Sequence, residues 1–241
     1  MKTGAMAFLL VASFCSTVVW GQGVSDSVKV YNAGVNGNST TNLLARLDRD
    51  VLSKSPELVV LMVGTNDMLN ENKTLTIGQY EKNYQELITR IRSKADVVLM
   101  TIPPVYAPYL AQRKPQFRGD EKTPPARVDS ANNVIRGLAA KNNCVLIDLN
   151  RILAACGGAN TEKEGLFQNE ANSGMADGVH PTANGYKVVA AAVYQTILSH
   201  KPGVKSVVCF GDSITNGYRM AGQGTTGGDT YPAILNRMMN P

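Results

Sequence analysis

The sequence predicts an α/β protein, a three-layer sandwich in which a five-stranded parallel sheet is covered by helices on both faces. Two observations carry that expectation. Five short runs are almost wholly apolar, VKVYN (Val28 to Asn32), ELVVLMV (Glu57 to Val63), DVVLMTI (Asp96 to Ile102), CVLIDL (Cys144 to Leu149) and SVVCF (Ser206 to Phe210). Strands of that kind are buried on both sides, as parallel strands in α/β folds are. Helical segments separate the runs, and parallel strands need such crossovers.

Taken in order, the first run is followed by the Gly/Asn-rich turn AGVNGN and a helix from about Ser39 to Leu52. The second run is bounded by Pro56 and Gly64 and leads to an amphipathic segment from about Thr76 to Ser93. The third stops at a double proline; a long polar segment follows to about Thr123, and then a helix from about Pro124 to Lys141, where proline in the first turn is tolerated. After the fourth run the chain is irregular up to His180, and a helix follows from about Thr182 to His200. The fifth run leads to a last helix from about Thr230 to Met239. Right-handed crossovers gather the carboxyl ends of the strands at one edge of the sheet, where ligands bind in this architecture.

The 241 residues, 44% of them hydrophobic, suit one larger domain. The net charge of +5 contains no run of five like charges, which argues against a nucleic-acid partner or a polybasic membrane patch. Residues 1–22, MKTGAMAFLLVASFCSTVVWGQ, have a lysine near the start, an apolar stretch and small or neutral residues near Gly21. That is the layout of a secretory signal peptide, so the expected product is a secreted or periplasmic single domain spanning residues 23–241, with no stable membrane span once the signal is removed. Cys15 lies in that segment, outside a convincing lipoprotein context. The remaining cysteines, Cys144, Cys156 and Cys209, show no metal-ligand spacing; Cys209 is expected to pack as a small hydrophobe, and spacing leaves a Cys144–Cys156 disulfide open. No metal and no cofactor is expected.

Four motifs follow strands or precede a helix: Gly211-Asp212-Ser213, Ala33-Gly34-Val35-Asn36-Gly37-Asn38, Gly64-Thr65-Asn66-Asp67 and Asp177-Gly178-Val179-His180-Pro181. Each alone reads as an ordinary turn or cap. Together they supply the parts of acyl transfer. A serine hydroxyl needs a base, the base needs a partner that fixes its tautomer, and the developing oxyanion needs preorganised donors. Ser213, His180 and Asp177 fill the first three roles, and Gly37 and Asn66 the last, with the Ser213 N–H as a third donor. His200, the other histidine, ends a helix, where a partly positive imidazole suits the dipole.

The blocks GDSIT, NAGVNGNST, GTND and DGVHP resemble those of the SGNH hydrolases, the GDSL-type lipases and esterases, over essentially the whole of residues 23–241. The resemblance implies Ser213 as nucleophile, His180 as base, Asp177 as its orienting acid, and Gly37 and Asn66 as oxyanion donors. Gly34 is read as a conformational residue, and Asp212, Thr65 and Asp67 as scaffolding of the turns. The resemblance also implies a flavodoxin-like sheet in which the serine strand is central. The block order departs from the family: the serine block, residues 205–241, follows the Asp/His block instead of opening the chain. Joining Pro241 to Gly23 restores the usual order, so the chain reads as a circular permutant.

The expected activity is hydrolysis of short-chain esters, acetyl foremost, because the segments flanking the site, Arg219 to Thr230 and Pro103 to Thr123, are polar or rich in Gly and Pro and form no long hydrophobic lid. Export then points to acetylated polysaccharide. A broad arylesterase, thioesterase or lysophospholipase is the alternative within the family, and a catalytically inactive carbohydrate-binding relative is the alternative of another class. A phosphate-binding reading of GDSIT lacks the lysine and glycine pattern of a phosphate loop. The sequons Asn38-Ser39-Thr40 and Asn72-Lys73-Thr74 are also present, and a glycan on Asn38 would obstruct the proposed site.

Overall fold

The computed structural model describes residues 27–113 and 123–241; the expected signal peptide and part of the Pro103 to Thr123 segment lie outside the described residues. The strands are β1 (Lys29–Gly34), β2 (Leu58–Met62), β3 (Asp96–Met100), β4 (Val145–Ile147) and β5 (Ser206–Gly211). All pair in parallel, in the order β1-β5-β2-β3-β4. The strand formed last along the chain is therefore internal, with Val207 to Gly211 paired on both sides.

Alternation along each strand divides the core into two layers. Val208 and Phe210 of β5, with Val59 and Leu61 of β2, meet the face covered by α1 (Thr40–Asp50), α3 (Ile77–Arg92) and α5 (Pro124–Lys141). Val207 and Cys209, with Leu58, Val60 and Met62, meet α6 (Leu149–Ala155), α8 (Ala183–His200) and α10 (Tyr231–Met239). Each strand thus needs apolar side chains on both faces, the physical origin of the unbroken runs.

The long helices begin where local chemistry permits. Thr76, Thr182 and Thr230 cap α3, α8 and α10, each side chain accepting a backbone N–H from the first turn, and prolines occupy the first turn of α5 and α10. Five short helices stand where irregular chain was expected: α2 (Thr65–Leu69), α4 (Ala107–Arg113), α6, α7 (Glu170–Ser173) and α9 (Ser213–Asn216). They span one or two turns, too few for an apolar period to emerge. The fourth strand is shorter than its apolar run because Asp148 turns the chain into α6, its carboxylate accepting from Thr101 Oγ1 and from Arg136.

Among the described residues the cysteines, Cys144, Cys156 and Cys209, are free. Cys209 is fully buried in β5, whereas Cys144 is half-buried and Cys156 exposed. No helix among the described residues is long and apolar enough to cross a membrane.

Candidate active site

The carboxyl edge of the sheet brings the serine turn and the histidine loop into contact. β5 ends at Gly211, Asp212 caps α9 by accepting from the Ile214 N–H at 2.9 Å, and Ser213 is the first helical residue. The turn is tight: a Cβ on Gly211 would lie 2.3 Å from the Met62 carbonyl oxygen and from Thr215 Oγ1. Its neighbour across the sheet, Gly34, would place a Cβ 2.1 Å from the Asn216 backbone nitrogen. The role of Gly34 is thus close approach between β1 and α9, with no unusual φ.

Asp177 and His180 lie in the loop before α8. The Asp177 Oδ1 accepts from the backbone N–H groups of Val179 (2.9 Å) and His180 (2.7 Å), which fixes the carboxylate against its own loop. Its Oδ2 is 2.9 Å from His180 Nδ1, and His180 Nε2 is 2.9 Å from Ser213 Oγ. Burial pushes the Asp177 carboxyl up, but the hydrogen bond and charge of His180 and the two backbone donors outweigh it and hold the group below the usual carboxylate value. An ionised Asp177 accepts from Nδ1–H, which leaves Nε2 as the acceptor for the serine hydroxyl.

The rest of the loop is tied down by groups that no motif announces. Gln168, buried, donates through its side chain to the carbonyls of Pro181 and Tyr218, and its backbone accepts from Gly178 and donates to His180. Arg113 of α4 donates to the carbonyls of Ala176 and Asp177 at 2.6 and 2.5 Å. The Tyr218 ring packs on the His180 imidazole, centroids 4.6 Å apart.

Asn66 is the second residue of α2. Its Nδ2 donates to the Asn38 carbonyl at 3.0 Å and its Oδ1 accepts from Asn70, so the amide orientation is set; an amide nitrogen has a second hydrogen to offer. Gly37 adopts φ +73, in the left-handed region that suits glycine. Among the described residues nothing accepts from its N–H or from that of Ser213. Asp67, fully buried, accepts from the Thr40 N–H and hydroxyl and so holds α1, which follows the Gly37 turn, against α2.

Ser213, His180, Asp177 and Asn66 line one open cleft of 310 Å³, with Thr65, Leu69, Asn70, Leu110, Arg113, Met175, Val179 and Tyr218. Gly37 adjoins that wall: the next residue, Asn38, holds Asn66 through its carbonyl. Of the two segments expected to shape the cleft, Pro103 to Thr123 contributes Leu110 and Arg113, whereas Arg219 to Thr230 contributes nothing beyond its neighbour Tyr218. The latter folds back on β1 and α9 instead, with the Gly224 N–H donating to the Asn216 carbonyl and Asn32 Nδ2 to the Thr225 carbonyl.

Asp212 has a measurable consequence. Burial raises its carboxyl from 3.8 to about 6, only partly offset by the Ile214 N–H and the His180 charge. A carboxyl that binds its proton more tightly when folded favours folding below about pH 4 and loses that contribution as pH rises through about 6. Asp212→Asn, whose Oδ1 can still accept from Ile214, should therefore gain melting temperature relative to the parent between pH 4 and pH 7. Parallel melting curves across that range would remove the assignment.

Residues 13–188, well over half of the chain, match the model of the GDSL-like Lipase/Acylhydrolase family. The chain is 25% identical over 180 residues to an acetylxylan esterase of Geobacillus stearothermophilus, covering 70% of this chain and 72% of that one. It resembles the crystal structure of a lipase/acylhydrolase from Enterococcus faecalis, at 26% identity and a TM-score of 0.54, covering 69% of this chain and 74% of that one. It resembles likewise that of the acetyl xylan esterase AlAXEase, at 27% identity and a TM-score of 0.53, covering 68% and 79%. With a five-stranded parallel sheet and the family match together, the chain belongs to the GDSL-like lipase/acylhydrolase family and is a carboxylic ester hydrolase of that type.

Proposed function

We propose that the chain is an exported serine esterase that removes short acyl groups, acetyl foremost, from carbohydrate through an acyl-serine intermediate. The observation that carries the reading is the unbroken run of hydrogen bonds from Asp177 through His180 to Ser213 at the wall of an open cleft. Ser213 Oγ attacks the ester carbonyl carbon while its proton passes to His180 Nε2, and Asp177 stabilises the imidazolium. The tetrahedral oxyanion takes hydrogen bonds from the N–H groups of Gly37 and Ser213 and from Asn66 Nδ2. Collapse expels the alcohol, which takes the proton from His180. Water, deprotonated by His180, then attacks the acyl-serine and releases the carboxylic acid and free Ser213.

The small acyl group is supported by the open, mixed cleft, walled by Leu69, Leu110 and Val179 beside Asn70 and Arg113, and by the acetylxylan esterases among the relatives. Activity on acetylated xylan and on p-nitrophenyl esters of increasing length tests it: the rate should be highest for acetyl and fall with length. A maximum at eight or more carbons would favour a lipase-like substrate instead. Replacing Asn66 by Ala removes one oxyanion donor and should cost about 10²-fold in kcat; an unchanged kcat would take Asn66 out of the hole.

The reading includes a permuted chain order, with residues 1–22 as signal peptide and residues 23–241 as one domain. Three observations support the permutation. The family match stops at residue 188, before Ser213. β5 enters the interior of a sheet whose other strands precede it. Asn240 Oδ1 accepts from the Val28 N–H at 2.8 Å and its Nδ2 donates to the Val28 carbonyl at 3.0 Å, so the chain just before β1 meets the chain just after α10.

A further inference from the structure

Arg46 is a buried cation on the inner face of α1. Helical spacing places it with Leu43 and Leu47 against the sheet, where it is only 7% exposed. Burying a guanidinium is costly unless its donors are paired, and here the acceptors belong to the segments that build the site. Nε donates to Asn38 Oδ1 at 2.7 Å, one terminal nitrogen to the Ala33 carbonyl at 3.0 Å and to Asp50 at 2.9 Å, and the other to the Gly211 carbonyl at 2.8 Å. The guanidinium carbon lies over the Phe210 ring, 4.7 Å from its centroid. Ala33 is near the end of β1, Asn38 follows Gly37, and Gly211 stands two residues before Ser213.

We infer that Arg46 is a positioning residue for acyl transfer: its rigid fork sets the separation between the Gly37–Asn38 loop and the Ser213 turn, and hence the alignment of the oxyanion donors with the attacking oxygen. The inference rests on the esterase reading above. Lys73 provides the contrast. Its Nζ donates to the Gly37 carbonyl at 2.7 Å and to Asn42 Oδ1 at 2.9 Å, restraining the same loop without touching the serine turn. Arg46 bonds both sides. A planar guanidinium holds several acceptors at fixed relative positions, which an ammonium cannot.

The test is kinetic. Arg46→Met keeps most of the volume and removes every donor. On a short-chain p-nitrophenyl ester it should lower kcat about 10- to 100-fold with KM within about threefold, the pattern of an interaction expressed in the transition state. Arg46→Lys should recover part of the loss. Because the hole would already be misaligned, Asn66→Ala should cost less than about tenfold in the Arg46→Met background, against about 10²-fold in the parent. Should Arg46→Met fail to fold, Asn38→Ala, which removes only the loop acceptor, should give the same split between kcat and KM at smaller size. A parental kcat in the variant that folds, or a fully additive Asn66→Ala effect, overturns the inference. Ser213→Ala run alongside separates the two levels: if it is inactive while Arg46→Met matches the parent, only the role of Arg46 falls, and if it is active, the esterase reading falls with it.

Discussion

Ser213→Ala is expected to lower kcat/KM on p-nitrophenyl acetate by at least about 10⁴-fold, the scale on which serine hydrolases lose rate when the nucleophile is removed. The melting temperature should stay within a few degrees of the parent, and the reason lies in the local structure. The Ser213 hydroxyl makes one side-chain hydrogen bond, to His180 Nε2. The start of α9 does not depend on it, because Asp212 supplies the cap. Losing one hydrogen bond at a half-buried position costs on the order of 1 kcal/mol, whereas the reaction loses the atom that forms the acyl bond. An organophosphonate should label the parent at Ser213 and leave the variant unlabelled. A variant that keeps both folding and turnover would mean that some other group attacks the ester.

Much of this site can be read along the chain because its polar residues are displayed at turns. GDS, GTND and DGVH each stand where an apolar run or a helix begins or ends, and each glycine is fixed by crowding or by φ. The long helices were legible for the same local reasons: threonine caps, prolines in the first turn and an apolar face. Arg46, Gln168 and Arg113 were not. Gln168 and Arg113 act on backbone carbonyls, to which any sequence gives equal access, so their partners Pro181, Tyr218 and Ala176 leave no trace in the pattern. Arg46 did leave one signal, a charge within the buried face that carries Leu43 and Leu47. A charge at such a position asks what it pairs with. Its counter-charge, Asp50, is one helical turn on, but the acceptor on the serine side, the Gly211 carbonyl, is 165 residues away, a separation that only the fold closes.

The largest structural effect should come from the last segment. A chain ending at His200 lacks β5 and α10, and β1 pairs with β5 alone, so its loss leaves β1 without a partner and exposes one edge of β2. Val207, Val208, Cys209 and Phe210 are fully buried. At about 1.5–3 kcal/mol for each apolar side chain of that size, they contribute roughly 6–12 kcal/mol, comparable with the whole stability of a typical domain of about 5–15 kcal/mol. The truncated chain should be unfolded by circular dichroism and inactive, and a folded, soluble product would refute a central role for β5. The complementary experiment separates loss of the strand from loss of its order. Moving residues 202–241 ahead of residue 23 joins Pro241 to Gly23, next to the Asn240–Val28 contact, and opens the chain in the turn between α8 and β5. If the present order is a permutation of a sheet that does not depend on which loop is closed, this rearranged chain should fold and keep kcat/KM within a few-fold of the parent. Failure to fold would mean that the connection from α8 into β5 is required for assembly, and the permuted reading would be lost with it.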